Sequence, residues 1–235
     1  LYKDAIEACK QTIRIRPNRS SPYYNLGVAY AKLGLYKDAT EACKQAIRFS
    51  PSNPHNDAYK ILSVACAKLS IYKDAIEACK QGIRIDPNYA DAYNDLGVAY
   101  GKLRLYKDAI ESYKQATRID PNYADAYNDL GVAYGDLDLY KDAIESYKQA
   151  TRINPNHISA YFNLGVAYDE LSLYKDAIEA YKQTIRIGPN HVFLYFNLGV
   201  AYYKSGDKNS ALNEYKILKK LDINLANELL DLINK

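Results

Sequence analysis

The sequence predicts an all-α solenoid of antiparallel helix pairs. Three observations carry this: a fixed repeat, a helical spacing of apolar residues within it, and links too short for consecutive helices to run parallel. The repeat is marked by Pro17, Pro51, Pro87, Pro121, Pro155 and Pro189, which lie 34, 36, 34, 34 and 34 residues apart. A period of this length holds one supersecondary unit that cannot bury its apolar face alone, so neighbouring units must stack. The long interval is explained by Pro54 and His55 in Pro51-Ser-Asn-Pro-His-Asn-Asp57, an insertion expected to lengthen a loop without shifting helix register. Two neighbouring copies, Tyr89 to Pro121 and Tyr123 to Pro155, differ only at Lys102/Asp136, Arg104/Asp138 and Asp120/Asn154, as after a recent duplication.

Each copy contains two helical stripes. Tyr93, Leu96, Gly97, Tyr100 and Leu103 recur at the spacing of one helix face, and Tyr106, Ala109, Ile110, Tyr113, Ala116 and Ile119 form a second such face. The intervening Leu103-Arg104-Leu105 is short enough to make the pair antiparallel. Asp120-Pro121-Asn122 then ends the copy, because proline cannot continue a helix and pushes its predecessor toward an extended backbone. The expected divisions are residues 1–19 (a second helix without its first), repeats at 20–53, 54–89, 90–123, 124–157 and 158–191, a degenerate repeat at 192–224, and a capping helix at 225–235, all in one continuous solenoid domain.

Small residues recur in register: Gly27, Gly97, Gly131, Gly165 and Gly199 on first helices, and Ala5, Ala39, Ala75, Ala109, Ala143, Ala177 and Ala211 on second helices. Mid-helix glycine costs about 1 kcal/mol relative to alanine, so its repetition implies a packing reason, and close backbone approach is the expected one. In the second full repeat Ser63 and Cys66 replace the usual glycine and tyrosine, marking that repeat as a candidate soft joint.

Composition narrows the function classes. Hydrophobic residues at 48% and charged residues at 25% exclude disordered and collagen-like chains. The chain has 25 Tyr but no Trp and no Met, so it reads as a fragment or processed product whose large buried surfaces are built from tyrosine. It contains no run of eighteen apolar residues, and Leu1 to Arg16 is interspersed with charges, which argues for a soluble chain with the cytoplasm as the default compartment and no membrane partner. A net charge of +3 is too small to imply nucleic acid. Cys9, Cys43, Cys66 and Cys79 lack metal or redox spacing and read as core thiols, so no metal is expected. Leu1 to Arg16 is expected to leave an apolar face open to end-to-end self-association.

These columns resemble the tetratricopeptide repeat over the whole chain, with Tyr23, Tyr59, Tyr93, Tyr127, Tyr161 and Tyr195 where that family often has tryptophan. The resemblance implies a right-handed superhelix whose first helices line a concave groove. Second helices repeat Tyr-Lys-Asp-Ala-Ile-Glu nearly unchanged, with Asp in the first turn and Arg in the last as the helix dipole favours, so they read as a solvated face. Variation is concentrated on first helices. The candidate partner-binding residues there are Tyr24, Asn25 and Val28; Asn94, Asp95 and Val98; Asn128, Asp129 and Val132; Phe162, Asn163 and Val166; Phe196, Asn197 and Val200, with Lys60, Ile61 and Val64 in the same columns. The Asn/Asp column resembles the asparagine ladder of O-linked N-acetylglucosamine transferases, and Phe193 and Tyr203 add to an aromatic C-terminal end.

Residues 90–157 carry eight Lys/Arg against eleven Asp/Glu, while residues 1–50 carry nine against four. A protein or peptide partner with basic and apolar residues is therefore expected. An acidic C-terminal tail is not, because valine and Asp or Ser occupy the columns where carboxylate-clamping family members place Asn and Lys. His55, His157 and His191 sit beside proline turns and converge with no nucleophile, so no enzymatic activity and no cofactor are expected. The leading reading is an interaction scaffold. Its alternatives are the substrate-recognition arm of a larger enzyme such as a glycosyltransferase, and a self-assembling structural scaffold.

Overall fold

The computed structural model describes residues 1–50, 56–189 and 192–234. The expected insertion at Pro54 and His55, and His191, lie outside the described residues. Those residues form fourteen helices and no strand: α1 (Tyr2–Ile15), α2 (Ser20–Lys32), α3 (Tyr36–Phe49), α4 (Asn56–Lys68), α5 (Tyr72–Ile85), α6 (Ala90–Lys102), α7 (Tyr106–Ile119), α8 (Ala124–Gly135), α9 (Tyr140–Ile153), α10 (Ile158–Glu170), α11 (Tyr174–Ile187), α12 (Val192–Lys204), α13 (Lys208–Leu221) and α14 (Ile223–Ile233). They fall into two compact units, Leu1–Pro121 and Asn122–Lys235, divided between the two most alike repeats.

In the first unit α2 pairs with α3, α4 with α5 and α6 with α7, and each second helix also packs on the next first helix. First helices touch one another as well, α2 with α4 and α4 with α6. The second unit repeats the scheme through α8/α9, α10/α11 and α12/α13, with α8 touching α10 and α14 closing over α12 and α13. A first helix is therefore covered on two sides by second helices and on its edges by neighbouring first helices, which explains why it is apolar over more of its circumference than a second helix. Second helices keep one solvated face, with Asp108 and Asp142 in the first turns of α7 and α9 and Arg118 and Arg152 in the last.

The turn inside each pair has one hydrogen-bond pattern. After α6 the Leu105 amide donates to the Tyr100 carbonyl at 3.0 Å and the Arg104 amide to the Gly101 carbonyl at 2.9 Å. This six-to-one and five-to-two closure requires a left-handed residue at its centre. Gly34 and Gly206 supply it at φ 73° and 88°, but Ser70, Arg104, Asp138 and Ser172 take it at φ 58–60°, where a Cβ crowds the following carbonyl.

The recurring glycines face side chains, which corrects the expectation of backbone approaching backbone. A Cβ on Gly97, Gly131 or Gly165 would lie 2.6, 2.5 or 2.6 Å from a ring carbon of Tyr113, Tyr147 or Tyr181, respectively, on the paired second helix. The glycine is a notch for a tyrosine ring. In the α4/α5 pair the notch holds Ser63 and the ring is replaced by Cys79, so the smaller opposing side chain leaves room for a hydroxymethyl group. At Gly199 the notch is filled by Leu229 of α14, whose Cδ2 would lie 2.5 Å from an added Cβ. Ala226, Leu229 and Ile233 are buried there, where α14 closes over α12 and α13. At the other end Ala5 is exposed, whereas Ala39, Ala75, Ala109, Ala143, Ala177 and Ala211 are all 0–1% exposed, and Leu1 and Ile15 are open to solvent.

Gly131→Leu is expected to lower stability by about 1–3 kcal/mol by overpacking against Tyr147, while Gly101→Ala, where an added Cβ meets nothing within 4 Å, is expected to raise it by about 0.5–1 kcal/mol. Urea denaturation midpoints that move the same way for both would refute the notch. Arg104→Gly is expected to raise stability by up to about 1 kcal/mol by relieving the left-handed strain. Asp138→Gly is expected to gain less, since Asp138 also accepts a 2.9 Å hydrogen bond from the Tyr140 hydroxyl; thermal melts of the two variants check the order.

Candidate functional site

Helix geometry decides which variable residues on first helices remain open. A first helix has room for one uncovered strip, and the valine column lies on it: Val64 is 38% exposed and Val132 40%, and Val28, Val98, Val166 and Val200 are half-buried. None is sealed inside the stack. The column one residue before the Asn/Asp ladder behaves differently. Asn94 and Asn128 are buried at 8% exposure, and Phe162 is half-buried with its ring 6.1 Å from that of Tyr181. Asn128 accepts a 3.1 Å hydrogen bond from the Asn163 amide and donates its own amide to Asp129 Oδ1 at 3.1 Å, so these polar groups tie α8 to α10.

In the first unit the corresponding ties run from α4 to α6. Ser63 Oγ donates to Asp95 Oδ2 at 2.9 Å, and Lys60 forms an ion pair with Asp91. Burial pushes the Asp95 carboxyl up to about 6; the Ser63 hydrogen bond and the nearby Lys60 ammonium pull it back, and the Asp91 carboxylate adds to the rise. Tyr24 and Val28 are half-buried and Asn25 is exposed on α2. At the C-terminal end Phe196, Val200 and Tyr203 pack against the cluster made by Ala211, Leu218, Ala226, Leu229 and Ile233, and Asn197 is half-buried, while Phe193 stays 67% exposed.

Two cavities of the same register appear on the open strip, one in each unit. The first, about 260 Å³, is lined by Val64, Val98, Tyr72 and Asp95 with Lys68 and Lys102 on its rim. The second, about 250 Å³, is lined by Val132, Val166, Tyr140 and Asn163, with Asp136 and Glu170 in the two places the lysines held. Valine, tyrosine and ladder positions are thus repeated while the two rim charges are inverted. The acidic field reaches into the core: burial first, then the Asp136 and Asp129 carboxylates, push the Tyr147 phenol above its usual range, and burial, Asp169 and Glu170 do the same to Tyr181. A third cavity of about 300 Å³ joins Phe162 and Asn163 to Phe193 and Ile158. The structure therefore brings Val132, Asn163 and Val166 together. It buries Asn128 behind them, and Asn94 at the equivalent place in the first unit. Glu170 was not singled out from the sequence, although its column, running Lys32, Lys68, Lys102, Asp136, Glu170 and Lys204, changes sign in two consecutive repeats.

His157 caps α10: its Nδ1 accepts from the Ala160 amide at 3.3 Å, which leaves the protonated Nε2 to donate to Asp125 Oδ1 at 3.1 Å. Among the described residues no three His, Cys, Asp or Glu side chains group to hold a metal ion, and no helix is long and apolar enough to cross a membrane. Cys43, Cys66 and Cys79 are buried free thiols, and desolvation pushes Cys43 and Cys79 up to about 12.

Family models described as the TPR repeat match residues 65–103, 106–138 and 139–172, and models described as the tetratricopeptide repeat match 21–53, 158–191 and 194–222. The chain belongs to the tetratricopeptide repeat family. Among solved structures a MamA protein is 31% identical, with a TM-score of 0.65 over 75% of this chain and 92% of its own. YrrB, described as a TPR protein with an unusual peptide-binding site, is 22% identical, with a TM-score of 0.65 over 80% of this chain and 96% of its own. The C-terminal part of a TPR repeat-containing protein from Cytophaga hutchinsonii is 18% identical, with a TM-score of 0.81 over 97% of this chain and 94% of its own. No curated protein matches the chain in sequence.

The raised Asp95 carboxyl has a definite consequence for stability. Its folded-state value of about 6 lies above the ordinary 3.8, so the folded protein holds the proton more tightly, and stability falls as pH rises from 3.8 to about 6. Asp95→Asn, the residue that Asn163 and Asn197 already place in this column, is expected to remove that slope and to be more stable than the parent at neutral pH. Parallel denaturation curves across this range test it, and an unchanged slope in the variant would count against the assignment.

Proposed function

We propose that the protein is an interaction scaffold that holds an extended or helical segment of a partner protein along its first helices, and that the second unit selects a Lys or Arg side chain of that segment. The observation that carries this reading is the pair of equivalent cavities with inverted rims. In the second unit Val132 and Val166 offer apolar wall, Asn163 a hydrogen-bonding amide, and Asp136 and Glu170 two carboxylates at the mouth. A long basic side chain fits this arrangement because its methylene stem packs on valine while its charged head stays at the wet rim. The same position in the first unit presents Lys68 and Lys102 and repels such a group, so the cavity of the second unit is preferred. Apolar side chains flanking the basic one have the Phe162 and Phe193 cavity to enter.

Tyr24, Asn25, Val28, Asp95, Val98, Asp129, Phe196, Asn197 and Val200 belong to the wider surface in this proposal. Asn128 supports it from behind by accepting from Asn163 of the neighbouring first helix, and Asn94 is buried at the equivalent place in the first unit. YrrB is described as having a peptide-binding site, and its likeness to this chain is one of fold. The reading contains no catalytic step.

A peptide with one central lysine between apolar residues is expected to bind the wild-type chain and to bind the Asp136→Lys/Glu170→Lys double variant at least about tenfold more weakly, a loss of about 1.4 kcal/mol. Its association rate is expected to fall as salt rises. Equal affinity for the two proteins by calorimetry, or equal affinity for a peptide with glutamate in place of lysine, would overturn the proposal.

A further inference from the structure

The outer side of the first unit lacks a ring that the other repeats possess. First helices carry a tyrosine column at Tyr30, Tyr100, Tyr134, Tyr168 and Tyr202, interrupted by Cys66. These tyrosines are half-buried, and three of them lie beneath a lysine of the preceding second helix: Lys80 over Tyr100 at 5.8 Å, Lys148 over Tyr168 at 6.0 Å and Lys182 over Tyr202 at 5.5 Å from the ring centre. Lys44 occupies the same position above Cys66. Where the ring would be, the structure has a cavity of about 330 Å³ between α3 and α5, bounded by Lys44, Ile47, Leu62, Cys66 and Ala78, with Glu77 on the rim. That volume is at the lower end of ligand-binding cavities.

The floor adds a second observation. Cys66 is completely buried, and Thr40 stands beside it where the corresponding positions of later second helices hold Ile76, Ile110, Ile144 and Ile178. The Thr40 hydroxyl is close enough to the Cys66 thiol to lower its pKa against the rise caused by burial, yet it makes no hydrogen bond of ordinary geometry and is itself buried at 8% exposure. Cys66 lines the cavity and Thr40 does not, so it is the thiol that faces an occupant.

We propose that this cavity is a docking site for a tyrosine side chain of a partner polypeptide. The three lysine-covered tyrosines show what the cavity accepts: an aromatic ring laid between two second helices, apolar at its edges and covered on its face by an ammonium group. Lys44 supplies the ammonium, and Ile47, Leu62 and Ala78 the apolar walls. A partner's ring enters from solvent with its hydroxyl leading, so the hydroxyl arrives at the inner end beside the Cys66 sulfur, a weak acceptor. That favours tyrosine over phenylalanine. The site is separate from the first-helix cavities and does not depend on what they bind.

The test is a titration of the intact chain with N-acetyl-tyrosinamide followed by amide resonances. Saturable shifts are expected at Leu62, Cys66 and Ala78, with several-fold weaker binding of N-acetyl-phenylalaninamide. Cys66→Tyr, which fills the cavity from within, is expected to abolish the binding and raise the melting temperature. Lys44→Met, at an exposed position, is expected to weaken the binding several-fold and provides the check should the first variant fail to fold. Asp136→Lys/Glu170→Lys is expected to leave the binding unchanged. No saturable shift in the parent chain would overturn the proposal, as would undiminished binding in Cys66→Tyr or Lys44→Met. Binding of free p-cresol without binding of N-acetyl-tyrosinamide would also overturn it, because the cavity would then take a small phenol and not a partner's side chain.

Discussion

The contact on which the α6/α7, α8/α9 and α10/α11 pairs depend is a tyrosine ring seated in a glycine notch, and in the α2/α3 pair the Gly27 notch holds the Cys43 sulfur. Gly97 with Tyr113, Gly131 with Tyr147 and Gly165 with Tyr181 bring ring and backbone so close that a single added carbon would overlap. The ring contributes a large buried apolar surface, and the missing side chain lets the two helices approach without forcing either off its axis. Glycine weakens the first helix in isolation, so the arrangement is stable only when the second helix is present. This couples folding of the two helices of a pair and fits the nearest-neighbour character of stacked repeats.

Departures from this contact are local and compensated. In the α4/α5 pair the ring shrinks to Cys79 and the notch fills to Ser63, which then uses its hydroxyl to bond Asp95 of the next first helix. In the last pair Leu229 of α14 enters the notch. Cys66 is different because no neighbouring side chain expands to replace the lost tyrosine, and the result is the cavity beneath Lys44. A compensated substitution and an uncompensated one thus sit one helical turn apart on α4.

The period, the pairing of helices and the order of fourteen elements were legible because they rest on residue spacing, which a sequence displays directly. The reason for the glycines was not, since a repeated small residue fits equally a backbone or a ring across from it, and the identity of that neighbour depends on relative helix rotation. The same limit explains Asn94 and Asn128. They lie one residue from Asp95 and Asp129, about 100° around the helix, and periodicity alone cannot say which flank of a first helix the adjoining helices cover. Cavities were the least legible feature because each is a sum of side-chain volumes from several helices.

Charge is the property that distinguishes otherwise equal repeats. Two copies that differ at three positions change sign at one of them, Lys102 against Asp136, and Glu170 repeats the change in the next repeat, so Asp136 and Glu170 stand where the equivalent cavity has Lys68 and Lys102. These side chains lie on the rim, where substitution does not disturb the notch, the turn or the buried ladder. Packing and surface charge therefore occupy different faces of the same first helix. The core columns are constrained by ring volume and must stay nearly constant, whereas a rim position pointing to water tolerates either sign at little cost to folding. Such a division lets duplication proliferate a stable unit first and alter its surface charge afterwards, one exposed residue at a time.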